Sequence, residues 1–322
     1  MKLLRNIALI FIVSSFAACK PAGKKVPVIG FIDAFEDATV GQARTGFTDA
    51  LKKNGYSDSA NTIKIEYRNA QNSIPTLTQI TDYYVNEPVN LLATCTTLSS
   101  LTAVQKTKTI PIFEMVSPTP ERMKVLDANG KAPANLFGAV EDLAYIDTSF
   151  SLIPQLLKPS NGKLTVGLIY NQSEPQSIDA LALIKARAAL NHINVVALPV
   201  NTSADAQLVT QALLNKNIDA FFALPDNTVF ASFETIVKAC DQKYVPIFTS
   251  EAGLVQRGAV AAFGADMYQW GYQAGEQAAQ YLKMGKTDGL KPEMVKVRKR
   301  VFNPTAAAKY HITVPSNFQA VK

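Results

Sequence analysis

The sequence predicts an α/β protein of two lobes with like topology, each built on a parallel sheet. Two observations carry this. Strand-like apolar runs alternate with amphipathic helix-like runs along most of the chain, an order that implies parallel strands joined by right-handed crossovers. The order is also written twice. Ile29-Gly-Phe-Ile-Asp33 is echoed by Val166-Gly-Leu-Ile-Tyr170, and Ile110-Pro-Ile-Phe113 by Val245-Pro-Ile-Phe248. Gly30 and Gly167 lie 137 residues apart and Pro111 and Pro246 lie 135 apart, so both echoes share nearly one offset.

The elements follow from local periodicity. Val28 to Ile32 reads as a strand. An amphipathic helix follows, with Val40, Ala43, Phe47, Ala50 and Leu51 on one face and a stop at Asn54-Gly55. Strands at Ile63 to Tyr67, Val89 to Ala93 and Ile110 to Phe113 then alternate with helices at Pro75 to Asn86 and Leu98 to Lys106. After Gly162 the series restarts with a strand ending at Tyr170. Helices at Ser177 to Leu190, Ala204 to Asn215 and Asn227 to Cys240 alternate with strands at Val195 to Val200, Ala220 to Leu224 and Val245 to Phe248. A helix from Met267 to Leu282 and a single strand from Met294 to Phe302 close the chain.

The beginning of the chain indicates where it works. Lys2 and Arg5 precede the apolar run Ile7 to Val13, then Ser14, Ser15, Phe16, Ala17, Ala18 and Cys19. A basic start, a short apolar core and small residues at a cut site make a secretory signal peptide over 1–18. The run is too short to span a bilayer, which needs about 20 apolar residues. A cysteine directly after Ala-Ala resembles the lipobox of bacterial lipoproteins, although Leu is usual where Phe16 stands. Cys19 is then the lipid-modified first residue and 19–25 the tether of a soluble domain outside the cytoplasmic membrane.

The formal charge is +6, and loss of Lys2 and Arg5 with the signal peptide lowers it to +4. The densest basic run, Lys296-Val-Arg-Lys-Arg300, reads as a solvated strand face, and no nucleic-acid partner is expected. Cys95 and Cys240 either pair, as export would permit, or stay as buried thiols. No cysteine or histidine spacing suits a metal site, and no cofactor is expected. An exported enzyme is disfavoured: there is no Gly-x-Ser-x-Gly elbow and no histidine beside a nucleophile. Ser160 and Lys163 have serine–lysine spacing, but in a polar turn.

In parallel α/β sheets, ligands bind beyond the carboxyl ends of the strands. The candidate ligand-binding residues are therefore Asp33, Phe35, Thr96, Thr97 and Ser117 in the first lobe. In the second they are Tyr170, Asn171, Asp226, Asn227, Ser250, Glu251 and Asp266. Thr96 and Thr97 sit where a strand turns into a helix, a place suited to a carboxylate. Asp226 and Asp266 are candidates for an ammonium, while Thr96, Thr97 and Asp226 could each equally be a plain helix N-cap. Phe35, Tyr145 and Tyr170 are candidate wall residues, and Trp270 reads as packing.

Several stretches resemble one family. They are Gly167-Leu-Ile-Tyr-Asn-Gln-Ser-Glu-Pro-Gln-Ser177, Pro225-Asp-Asn-Thr-Val229, Gln256-Arg-Gly-Ala-Val-Ala-Ala-Phe-Gly264 with Asp266, Gly271-Tyr-Gln-Ala-Gly275, and the end from Asn303 to Pro315. The chain is similar to substrate-binding lipoproteins of ABC transporters, specifically the tryptophan- and tyrosine-uptake family. The resemblance implies two Rossmann-like lobes with parallel sheets joined by a three-strand hinge, the type I periplasmic binding protein fold. It implies crossings near Glu141, Asp266 and Lys296, hence one lobe over 26–142 plus 266–295 and the other over 143–265 plus 296–322. It also implies a monomer that hands a small molecule, an aromatic amino acid by preference, to an inner-membrane permease. A sugar or nucleoside ligand, or a sensing role beside a membrane receptor, would use the same cleft. Three places depart from the usual pattern: Ser117-Pro-Thr-Pro120, Glu251 after Ser250, and Asp37-Ala-Thr-Val-Gly41.

Overall fold

The computed structural model describes residues 26–159 and 162–321. The signal peptide, Cys19 and its tether, and Ser160 lie outside the described residues. The first sheet begins with β1 (Val28–Asp33), α1 (Gly41–Lys53), β2 (Lys64–Asn69), α2 (Ile74–Asn86), β3 (Leu91–Cys95), α3 (Thr97–Lys106), β4 (Ile112–Pro118) and β5 (Leu136–Glu141). Two short helices, α4 (Ala144–Phe150) and α5 (Ile153–Leu156), lead to β6 (Thr165–Tyr170), α6 (Pro175–Leu190) and β7 (Asn194–Pro199). Then come α7 (Ala206–Leu214), β8 (Ala220–Ala223), α8 (Asn227–Ala231), α9 (Phe233–Gln242), β9 (Ile247–Thr249), α10 (Ala252–Gln256) and β10 (Ala261–Ala265). The chain ends with α11 (Met267–Met284), β11 (Pro292–Met294), β12 (Arg298–Phe302), α12 (Pro304–Lys309) and β13 (Gln319–Ala320).

These strands form two sheets, ordered β11-β5-β4-β3-β1-β2 and β13-β12-β10-β9-β8-β6-β7. Each holds the same central order, second-first-third-fourth-fifth, so the repeated sequence is a repeated topology. All neighbours are parallel except β10 and β12. The chain passes between sheets three times: from β5 into α4, from β10 into α11, and from β11 to β12.

Central strands are apolar on both faces because helices cover both sides. β3 and β5 are buried at every residue, as is β8. Helix α11 returns to the first lobe and lies against α1 at very close range. A Cβ on Gly271 would collide with the carbonyl of Ala43, which explains the small-residue face of α11. Phe31, Phe47 and Phe113 fill the first core, and Phe150, Phe221, Phe222, Phe233 and Phe248 the second.

Two predicted elements divide. The helix expected from Asn227 to Cys240 breaks at Ser232, which leaves helical geometry (φ −111°, ψ 10°). The strand expected from Met294 to Phe302 is two strands in different sheets, because residues 295–297 are the third crossing. This explains the basic run. Arg298 grips Glu141 with two bonds (2.6 and 3.0 Å), tying the third crossing to the first. Lys299 pairs with Asp266, tying the third to the second. The run is a set of hinge ion pairs rather than a merely solvated face. Cys95 and Cys240 are both buried free thiols.

Candidate functional site

The two sheets point the carboxyl ends of their strands at one cavity between the lobes. The first lobe contributes Thr96 and Thr97 at the β3–α3 junction, Val116, Ser117 and Pro118 at the end of β4, and Met267 and Trp270 from α11. The second contributes Gln176 from α6 and Pro225, Asn227 and Phe230 around α8. Leu143 and Tyr145 come from the first crossing. No Asp, Glu, Lys, Arg or His is among these residues.

Backbone strain concentrates here. Thr96 (φ 79°, ψ 159°), Val116 (φ 55°) and Leu143 (φ 74°) all occupy positive φ. Thr96 lies in a region otherwise reserved for glycine, and a β-branched residue at positive φ is a true outlier. Among the described residues, the other non-glycine residues at positive φ are Asn, Gln, Lys, His or Tyr, and none of them lines the cavity. Strain of order 1–3 kcal/mol per residue persists where the surroundings enforce it, which is characteristic of ligand clamps.

The first-lobe wall suits an anion. Helix α3 starts at the cavity with no side chain capping it. The first N–H groups of a helix have no partner within the helix, and the dipole adds positive potential there. Thr96 Oγ1 is buried and has no protein partner. The neighbouring Ser117 hydroxyl is held in a chain with Ser100 (2.8 Å), which continues to Thr94 (2.9 Å).

The second-lobe wall presents amides backed by carboxyl groups. Gln176 Nε2 donates to Glu174 Oε2 (2.6 Å), and the Asn227 backbone N–H donates to the same oxygen (2.8 Å). Gln176 Oε1 and Asn227 Nδ2 are buried without protein partners. A buried polar atom with no bond costs about 1–3 kcal/mol, so atoms left open on a cavity wall mark where a ligand's own groups would bond. Behind them, Asp226 caps α8 through the Val229 N–H (3.0 Å) and accepts from Ser177 and from the Asn171 N–H (both 2.6 Å). Burial, followed by the Asp226 charge, raises the pKa of Glu174; burial also raises that of Asp226.

Of the residues proposed from sequence, the structure brings Thr96, Thr97, Ser117 and Asn227 together on the cavity, and Tyr145 with them. Phe35 stands one layer back, stacked on Phe230 across the lobes (6.4 Å, planes 7° apart). Asp33 is buried beside Cys95, accepts from the Tyr67 hydroxyl at 3.4 Å, and burial pushes its carboxyl up to about 7. Asn171 lines a neighbouring recess with Glu174, and Tyr170 is half-buried outside the cavity. Asp226 is a cap in the second-lobe network, and Asp266 caps α11 through the Gln269 N–H (3.3 Å) besides pairing with Lys299. Ser250 donates to Glu251 (3.1 Å), and burial pushes Glu251 up to about 8 where it faces Tyr145. Gln176, Phe230, Trp270 and Val116 were not among the sequence candidates. Gln176 is the first turn of a helix, and Phe230 and Trp270 lie a turn into theirs, beyond the strand-end rule. Trp270 packs as expected, with Nε1 on the Ala139 carbonyl (2.7 Å), while its ring faces the cavity.

The departing segment Asp37 to Gly41 closes the side of the cleft. Arg257 of the second lobe reaches Asp37 Oδ2 (2.6 Å) and Thr39 Oγ1 (3.1 Å) of the first, while Glu234 holds its other edge (2.8 and 2.9 Å). The Asp37 side chain is 2% exposed, so its end of the pair is buried.

Residues 25–321 match the family described as ABC transporter substrate binding protein. The chain belongs to that family. It is a binding protein rather than an enzyme, and the family works outside the cytoplasm. Among the described residues no helix is long and apolar enough to cross a membrane. A tyrosine-binding protein of Clostridioides difficile is 33% identical over 270 residues, covering 84% of this chain and 76% of that protein. A conserved domain protein from Vibrio cholerae has a similar structure (TM-score 0.83, 29% identity, 92% of this chain and all of that one). A Streptococcus pneumoniae ABC domain in complex with L-Trp gives a TM-score of 0.81 at 22% identity, covering 92% and 99%. A ligand-free, open substrate-binding protein with adhesive properties from Clostridium difficile gives 0.65 at 27% identity, covering 92% and 99%.

Proposed function

We propose that this protein is the receptor of an ABC importer, tethered to the membrane through lipid on Cys19, and that it closes on an aromatic amino acid in the inter-lobe cavity. One observation carries the ligand class. An uncapped helix start with an open hydroxyl at Thr96 faces open amide atoms at Gln176 and Asn227, and Phe230, Tyr145 and Trp270 wall the space between. A carboxylate suits the first wall, an ammonium the second, and an aromatic ring the rest. This replaces Asp226 and Asp266 as ammonium partners by Gln176 Oε1, since both aspartates are committed to caps. The ligands named for the C. difficile and S. pneumoniae relatives support the same class.

Closure is the working step. Ligand that touches both lobes favours the closed arrangement by its differential affinity. The chain resembles the L-Trp complex in overall shape more than the open structure, although the latter is nearer in sequence. The lobes divide as 26–142 plus 266–295 and 143–265 plus 296–322, with a permease reading the closed pair. A thermal-shift screen of the amino acids, sugars and nucleosides tests the ligand. L-tryptophan or L-tyrosine should give the largest rise; a rise with only a sugar or nucleoside contradicts the reading. Cys19→Ala should release the protein from membranes without altering ligand binding.

A further inference from the structure

Glu174 touches no open space in the cavity, yet its bonds decide what one wall of the cavity offers. Its Oε2 receives the Asn227 backbone N–H, a group that can only donate. That oxygen is therefore an acceptor whatever proton resides at Oε1, which faces Thr228 Oγ1 (3.2 Å) and Asn171 Nδ2 (3.4 Å). The second group on Oε2 is the Gln176 carboxamide at 2.6 Å. An acceptor there requires the amide to turn its NH₂ inward, which leaves the carbonyl Oε1 without a protein partner at the cavity. Without that anchor, the two ends of a glutamine amide are nearly isosteric and either could face the ligand.

We propose that Glu174 is the positioning residue that fixes Gln176 carbonyl-outward, so that the second-lobe wall selects a ligand bearing an ammonium beside its carboxylate. The inference rests on the amino-acid reading above and adds the element that enforces it. Asn227 is held by the same oxygen through its backbone, so one carboxyl group orders both open amides. A site built around a buried acceptor rejects an analogue lacking the donor, because the acceptor is then left unpaired.

The test compares L-tryptophan with indole-3-propionate, which lacks only the amino group, by calorimetric titration of wild type, Glu174→Met and Gln176→Met. Wild type should prefer tryptophan by at least about a hundredfold. Glu174→Met removes the acceptor at similar volume, so nothing holds the Gln176 NH₂ inward and the amide can turn over; the preference should narrow at least about tenfold. Gln176→Met removes the acceptor that faces the ligand and should narrow it likewise, which serves if Glu174→Met fails to fold. A Glu174→Met protein that folds, binds tryptophan and keeps its preference within about twofold overturns the inference alone. Failure of wild type to bind either compound overturns the amino-acid reading and this inference with it.

Discussion

The two lobes share a topology, but they begin their cavity-facing helices in opposite ways. In the second lobe, α8 follows β8 and is capped by Asp226, whose carboxyl is satisfied three times over. In the first, α3 follows β3 at the matching place, and Thr96 leaves the helix uncapped while holding a backbone that suits only glycine. One helix start is spent on structure and the other is kept open under strain. The difference gives the cavity a polarity. The first wall offers N–H groups and a hydroxyl, and the second offers amides ordered by carboxyl groups. A dipolar ligand has one orientation in such a space.

Substitutions can break this contrast, and the largest effect is expected in the second lobe. Asp226→Ala strips bonds from Ser177 and the Asn171 N–H and uncaps α8. Urea unfolding should show a loss of about 3 kcal/mol, from one cap and buried donors left unpaired. Thr96→Gly should act in the other direction. Relief of strain should raise stability by about 1 kcal/mol, while loss of the hydroxyl weakens ligand binding roughly tenfold. A destabilised Thr96→Gly would show that the backbone there is not held against its preference. Arg257→Ala removes a pair that bridges the lobes at Asp37. Stopped-flow measurement should show ligand released about fivefold faster, with association little changed, because the pair joins the two lobes at the side of the cleft.

Beyond single substitutions, a pH dependence is common to both lobes. Burial raises Asp33 to about 7 and Glu251 to about 8, above their unfolded values near 4. Such groups bind a proton more tightly when folded. Their stabilisation is full below about pH 4 and is lost as pH rises to 7 or 8. Melting temperature should therefore decline between pH 5 and 8, and Glu251→Gln should flatten part of that decline. An unchanged slope in that variant would mean that Glu251 does not hold a proton.

Most of the fold was legible because burial on both sheet faces makes strands apolar runs, and because the β-α order repeats at one offset. Composition and periodicity did not reveal the third crossing, which only the family resemblance placed near Lys296. Met294 to Phe302 has uninterrupted strand-like composition, and its division depends on Arg298 and Lys299 finding Glu141 and Asp266, contacts distant in sequence. For the site, the strand-end rule reached Thr96, Thr97, Ser117 and Asn227. It also selected Asp226 and Asp266, because a capping aspartate and a ligand-binding one look alike in a sequence. Gln176, Phe230 and Val116 escaped it for different reasons. Gln176 and Phe230 are ordinary helix residues whose importance comes from the facing lobe. Val116 is set by a bulge between Glu114 and Ser117 that no local composition announces.

The central claim is that the two walls read the two ends of an amino acid. Calorimetry of wild type with L-tryptophan and with tryptamine, which lacks only the carboxylate, addresses it most directly. Tryptophan should bind, and tryptamine should bind at least about a hundredfold more weakly, since the α3 N-terminus and Thr96 then face no anion. Equal affinity for the two compounds would contradict it.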